Sequence, residues 1–121
     1  MTKFYTSYFS NYRKFPEDAK LFSIAQYTPK TKTPIEPLIE LAPSKQLIHA
    51  MKDGLISEEQ FTQEYVKQLN KLCRLPNLLS CCSQYDIVIF LCYEKPSDFC
   101  HRHILADYLK THYNIELQEI L

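Results

Sequence analysis

Short apolar and aromatic runs alternate with helical stripes along this chain, a pattern that predicts an α/β fold. Phe4-Tyr5-Thr6-Ser7-Tyr8-Phe9 is aromatic and β-favouring and reads as a first strand, followed by a polar loop from Ser10 to Pro16. Leu21 to Ala25 reads as a second short strand. Residues 28–43 hold Pro29, Pro34, Pro37 and Pro43, which exclude a regular helix and predict a long surface loop. Ser44 is placed to cap a helix from Lys45 to Asp53 that buries Leu47, Ile48 and Met51. Gly54 stands where a left-handed helix terminator belongs. Ser57 and Gln60 form a capping box for the next helix, whose stripe is Phe61, Tyr65, Leu69 and Leu72, and Leu75-Pro76 is read as its stop.

A short amphipathic segment, Leu78 to Cys82, leads to Asp86–Cys92. That run is continuously apolar after Asp86, as expected of a strand covered on both faces in a parallel sheet. Ser97 or Asp98 is expected to cap a helix that runs to about His112. Ile115 to Ile120 alternates and suits a last strand near a sheet edge. Together these elements predict one small three-layer α/β domain over residues 1–121, with a mostly parallel sheet of about four strands flanked by helices.

Composition narrows the chemistry. The 121 residues include one glycine, so no glycine-rich dinucleotide fingerprint, phosphate loop or nucleophile elbow can be written. Fourteen basic residues balance fourteen acidic ones, which argues against a dedicated non-specific nucleic-acid binder. The first 35 residues nevertheless carry six basic side chains against Glu17 and Asp18, a local excess suited to an anion-binding edge. The opening MTKFYTSYFSNYRKF has no apolar core of a secretory signal, and the apolar run Ile87–Tyr93 is far short of the roughly 18 residues that span a bilayer. Five cysteines without an export signal read as reduced thiols, so the expected location is cytoplasmic, with no membrane partner.

In open α/β sheets ligands bind beyond the carboxyl ends of the strands. The residues after the clearest strand are Cys92, Tyr93, Glu94 and then, past a turn, Cys100, His101, Arg102 and His103. Four readings compete for them. Arg102 and the helix N-terminus would hold an anion while Glu94 or His101 moves a proton. Alternatively Cys92 or Cys100 is a nucleophile with a histidine base, although neighbours such as Cys100 and His101 point about 100° apart on a helix. A zinc site is the third reading, but Cys-x7-Cys-His-x-His matches no common ligand spacing, so no metal or cofactor is assigned. In the fourth, the cysteines are ordinary core residues and Arg102 pairs with Glu94 to pin the turn. Tyr12 and Arg13 follow the first strand, and they join the ligand-binding candidates if that strand runs parallel to the Asp86–Cys92 strand.

The stretch LCYEKPSDFCHRHILADYL resembles the bacterial and phage family known as domain of unknown function 488, whose signature runs from an apolar strand through Cys-x-Glu to Cys-His-Arg. Tyr5–Phe9, Ser23-Ile24-Ala25, Tyr27-Thr28-Pro29, Leu41–Ser44 and Gly54–Glu59 resemble other parts of it. The resemblance implies a compact α/β fold, a bacterial or bacteriophage setting, and a site at Cys92, Glu94, Cys100, His101 and Arg102. The leading expectation is therefore a site for a small anionic ligand, a nucleotide or a nucleic-acid end. In it Arg102 holds the anion, Glu94 or His101 moves protons, and Cys92 and Cys100 shape the pocket. The alternative is a non-enzymatic protein that binds a host protein through the proline-rich loop.

Overall fold

The strands of this protein are β1 (Lys3–Tyr8), β2 (Lys20–Ser23), β3 (Glu36–Pro37), β4 (Ile87–Cys92) and β5 (Leu117–Glu119). In the computed structural model, which describes residues 1–94 and 99–121, they pair in the order β3-β2-β4-β1-β5, and every pairing is parallel. This is a mostly parallel α/β sheet flanked by helices, as the alternation of elements predicted, with one strand more than expected. The extra strand is the two-residue β3, set inside the proline-rich segment and aligned on Phe22 and Ser23. Prolines are tolerated there because an edge strand can leave one N–H side unpaired.

The apolar run forms the centre of the sheet. Val88 to Cys92 are completely buried, so both faces of β4 are covered. Phe90 stacks on Phe4 from β1 and packs against Phe22 from β2, which ties the three inner strands side to side. The alternating C-terminal segment supplies the opposite edge, β5.

Helix α1 (Lys45–Lys52) starts where Ser44 Oγ accepts from the Leu47 amide, 3.2 Å away. Gly54 lies at φ 71°; its amide bonds the Met51 carbonyl, and the Leu55 amide reaches back to Ala50, a Schellman end. The Ser57–Gln60 capping box is present at the start of α2 (Glu58–Asn70), which buries Phe61, Tyr65 and Leu69. Leu72 lies beyond that helix. Pro76 does not stop α2, which has already ended. It sits in the first turn of α3 (Leu75–Cys82), where a missing N–H costs nothing and a fixed φ favours the helix. The fourth helix, α4 (His101–Tyr113), is capped by Cys100 and ends on Asn114 in the left-handed conformation. Ser97 and Asp98, expected as its caps, lie outside the described residues. Phe9 belongs to the 3-10 turn Phe9–Lys14 and not to β1.

The strand order creates a crevice. The chain leaves β2 toward β3 at one edge and leaves β4 toward β5 at the other. Because β2 and β4 are neighbours, the segments following them part, and this is where open parallel sheets bind ligands.

Candidate functional site

A cleft of about 320 Å³ opens at that divergence. The segment after β2 contributes Ala25, Gln26 and Tyr27, and the segment after β4 contributes Tyr93, Glu94, Phe99, Cys100 and His101. Helix α1 adds a wall with Lys45, Ile48, His49 and Lys52. That wall is anchored by the bond from Gln26 Nε2 to the Pro43 carbonyl and by Gln68, which bridges the Ser44 amide and the Ala42 carbonyl. Three of the residues singled out in the sequence, Glu94, Cys100 and His101, therefore meet in one open cleft.

His101 is buried with a fixed role for each ring nitrogen. Nε2–H donates to the Ile24 carbonyl at 2.5 Å, and the ring stands edge-on to Tyr65. This bond assigns the tautomer and leaves Nδ1 as an acceptor, 3.9 Å from Cys100 Sγ. Burial is the main cause that lowers the His101 pKa to about 4; the charges of Arg102 and His103 push the same way, and the Ile24 bond opposes them. The ring is neutral at pH 7, an acceptor through Nδ1 and not a cationic acid.

Arg102 is wholly buried, and its planar fork is occupied. Nε and Nη2 donate to the Glu119 carboxylate of β5, at 2.9 Å for the closest contact, and Nη1 donates to the Glu94 carbonyl and to Cys92 Sγ at 2.9 Å. Thr6 Oγ1 donates to the same carboxylate. Arg102 is not among the residues lining the cleft. The leading sequence reading had Arg102 hold the anion and a competing one paired it with Glu94; in the structure its fork is taken up by the Glu119 carboxylate and the Glu94 backbone carbonyl. The Glu94 side chain is left exposed, its Oε2 3.3 Å from Cys100 Sγ.

Cys92 and Cys100 bring their sulfurs into contact, yet their Cα atoms are 7.9 Å apart. That separation exceeds the roughly 4.4–6.8 Å bridged by ordinary disulfides. The pair is better described as two adjoining sulfurs than as a covalent staple. Among the described residues, Cys92, Cys100 and His101 are the group with metal-ligand chemistry, with ligand atoms all within 4.8 Å of one another.

The end of β1 opens on the same edge, since Tyr8 is in register with Cys92. Tyr12 and Arg13 follow it, but both are exposed and neither lines the cleft; the Arg13 guanidinium lies over the Tyr12 ring. Ser7 and Asn11 from the same region are buried and bind the Ile120 carbonyl. The sequence reading did not single out Lys45, His49 and Lys52 as site residues. Their signal was available: positions i, i+4 and i+7 on one helix form a basic stripe.

A family model described as "Active DUF488-N3 subclade" matches residues 29–113. The match contains α1, β4 and the start of α4, so it includes the cleft walls apart from the segment after β2, and it stops short of β5. No curated protein and no solved structure matches the chain significantly.

Proposed function

The chain belongs to the domain of unknown function 488 family, and on that premise we propose that its cleft binds a small anionic ligand, phosphate- or nucleotide-like, and acts on it. The observation that carries this reading is the basic stripe of Lys45, His49 and Lys52, which lines the same cleft as Glu94, Cys100 and His101. Two lysines at the rim attract an anion, and Tyr27, Tyr93 and Phe99 offer faces on which a planar base stacks. The volume falls at the lower end of the roughly 300–1,000 Å³ usual for small-ligand sites. The word "active" in the description of the matching subclade favours chemistry over binding alone. Glu94 is the group for proton transfer, since its carboxylate is exposed to the cleft. Arg102 acts as a positioning residue, holding the Glu94 backbone from behind.

Isothermal titration of the wild-type protein with inorganic phosphate and with nucleoside mono- and diphosphates tests the reading. Binding by one of these probes, weakened at least about tenfold in a Lys45→Glu/Lys52→Glu double variant, is the expected result, equivalent to about 1.4 kcal/mol. No binding by any probe, or binding indifferent to the charge reversal, overturns it.

A further inference from the structure

Cys100 and His101, which line the cleft, and Cys92, buried beside them, have a chemistry that the anion reading does not use. We propose that Cys92, Cys100 and His101 form a zinc-binding site whose fourth position opens toward Glu94 and the cleft. Zinc loading is independent of the anion reading; only the identity of the group that meets the fourth position rests on it.

The donor set comes first. Two sulfurs and an imidazole nitrogen lie within 4.8 Å of one another, and all three residues are buried. Thiolate and imidazole donors suit zinc, and three protein ligands with one open position are the pattern of reactive zinc sites, whereas purely structural ones are closed. The sequence spacing had argued against a metal, because Cys-x7-Cys-His belongs to no common ligand pattern. In space, however, the end of β4 and the start of α4 bring the three together.

The orientation of His101 comes second. Its Nε2–H is held by the Ile24 carbonyl, so the Nδ1 lone pair is the one presented to the sulfurs. Metal-binding histidines are commonly fixed in this way, with the far nitrogen donating to a carbonyl or carboxylate. The 3.9 Å between Nδ1 and Cys100 Sγ is close to the roughly 3.6 Å that separates two ligands about a tetrahedral zinc.

The cysteine backbone comes third. Cα atoms 7.9 Å apart are too distant for a relaxed disulfide. Two sulfurs sharing a zinc stand about 3.8 Å apart, so the Cys92 and Cys100 sulfurs, in contact here, would separate by side-chain rotation as the metal enters. The Arg102 Nη1–H donated to Cys92 Sγ is an outer partner of the kind that orients a metal ligand. Glu94 Oε2, 3.3 Å from Cys100 Sγ, stands on the open side.

The test uses the full chain, reduced and stripped of metal with a chelator. On titration with Co²⁺, the expected result is one equivalent bound, with a thiolate-to-cobalt charge-transfer band, and displacement by one equivalent of Zn²⁺. Cys100→Ser, checked for folding by circular dichroism, should lose about half of the band's intensity and weaken Zn²⁺ at least about tenfold, the least that loss of even an outer partner costs. Cys73→Ser/Cys81→Ser, altering the exposed thiols, should leave both unchanged. A wild-type protein without the band overturns the proposal whatever the variants do. So does a band of undiminished intensity in Cys100→Ser, or a metal-free Cys92–Cys100 disulfide that persists under reductant. Phosphate and nucleotides are absent throughout, so failure here leaves the anion titration standing, and the reverse.

Discussion

Arg102 in the first turn of α4 donates from Nε and Nη2 to the Glu119 carboxylate on β5, the outermost strand on that side. The guanidinium is fully buried and the carboxylate about one-fifth exposed. The pair joins the helix that begins at the cleft to the sheet edge behind it. Through Nη1, the same group also fixes the Glu94 backbone at the cleft.

Breaking a buried pair leaves an uncompensated charge, which costs about 3–5 kcal/mol. Glu119→Ala strands the buried Arg102 and should lower the unfolding free energy by an amount in that range, read by urea denaturation. Arg102→Lys should also destabilise, because an ammonium cannot reproduce a planar fork that reaches Glu119, Cys92 and Glu94 together. An Arg102→Ala protein of unchanged stability that loses ligand binding would instead make Arg102 a binding residue.

Tyr65 is completely buried, and its hydroxyl donates to the Leu41 carbonyl at 2.6 Å. Its ring also carries the edge of His101. Tyr65→Phe keeps the packing and removes the donor, leaving a buried carbonyl unsatisfied. The expected loss is about 1–3 kcal/mol in urea denaturation, with little change in the slope of the transition.

What the sequence made legible follows from range. The run Ile87–Cys92 announced a covered central strand because burial on both faces leaves no polar position. The Ser57–Gln60 cap and the Gly54 stop were readable because each is decided within a few residues. Strand β3 was not, since Glu36 and Pro37 are exposed and their pairing depends on Phe22 and Ser23 arriving alongside. Pro76 was ambiguous in one dimension, because a proline both ends helices and begins them. The cysteines, Glu94 and His101 could be grouped by closeness in the chain. Glu119 could not: it lies seventeen residues past Arg102 on strand β5, and the ion pair exists only once that strand has docked.

The thiols should separate by reactivity. Cys73 and Cys81 are exposed, whereas Cys82 is buried on α3, and burial, with smaller contributions from Cys81 and Glu36, pushes its pKa up to about 11. The thiolate is the reactive form. A disulfide reagent at pH 8 should therefore label Cys73 and Cys81 quickly and Cys82 only on unfolding, as resolved by peptide mass mapping. Rapid labelling of Cys82 in the folded protein would mean that α3 detaches from the core.

Gly54 offers a test of backbone strain with side-chain effects removed. It lies at φ 71°, and a Cβ added there would meet no atom within 4 Å. Gly54→Ala thus adds no clash. It imposes the left-handed penalty of about 1–2 kcal/mol, partly offset by the lower entropy of the unfolded chain. The expected net loss is about 1 kcal/mol, and Gly54→Asn should cost less because asparagine tolerates that conformation. The consequence reaches the cleft, since the Gly54 and Leu55 amides close the last turn of α1, which carries Lys52. Fraying of that turn loosens one of the two rim lysines, so Gly54→Ala should weaken anion binding less than Lys45→Glu/Lys52→Glu does. Faster amide exchange at Leu55 should accompany it. Weakened binding with unchanged exchange there would separate the helix end from the cleft.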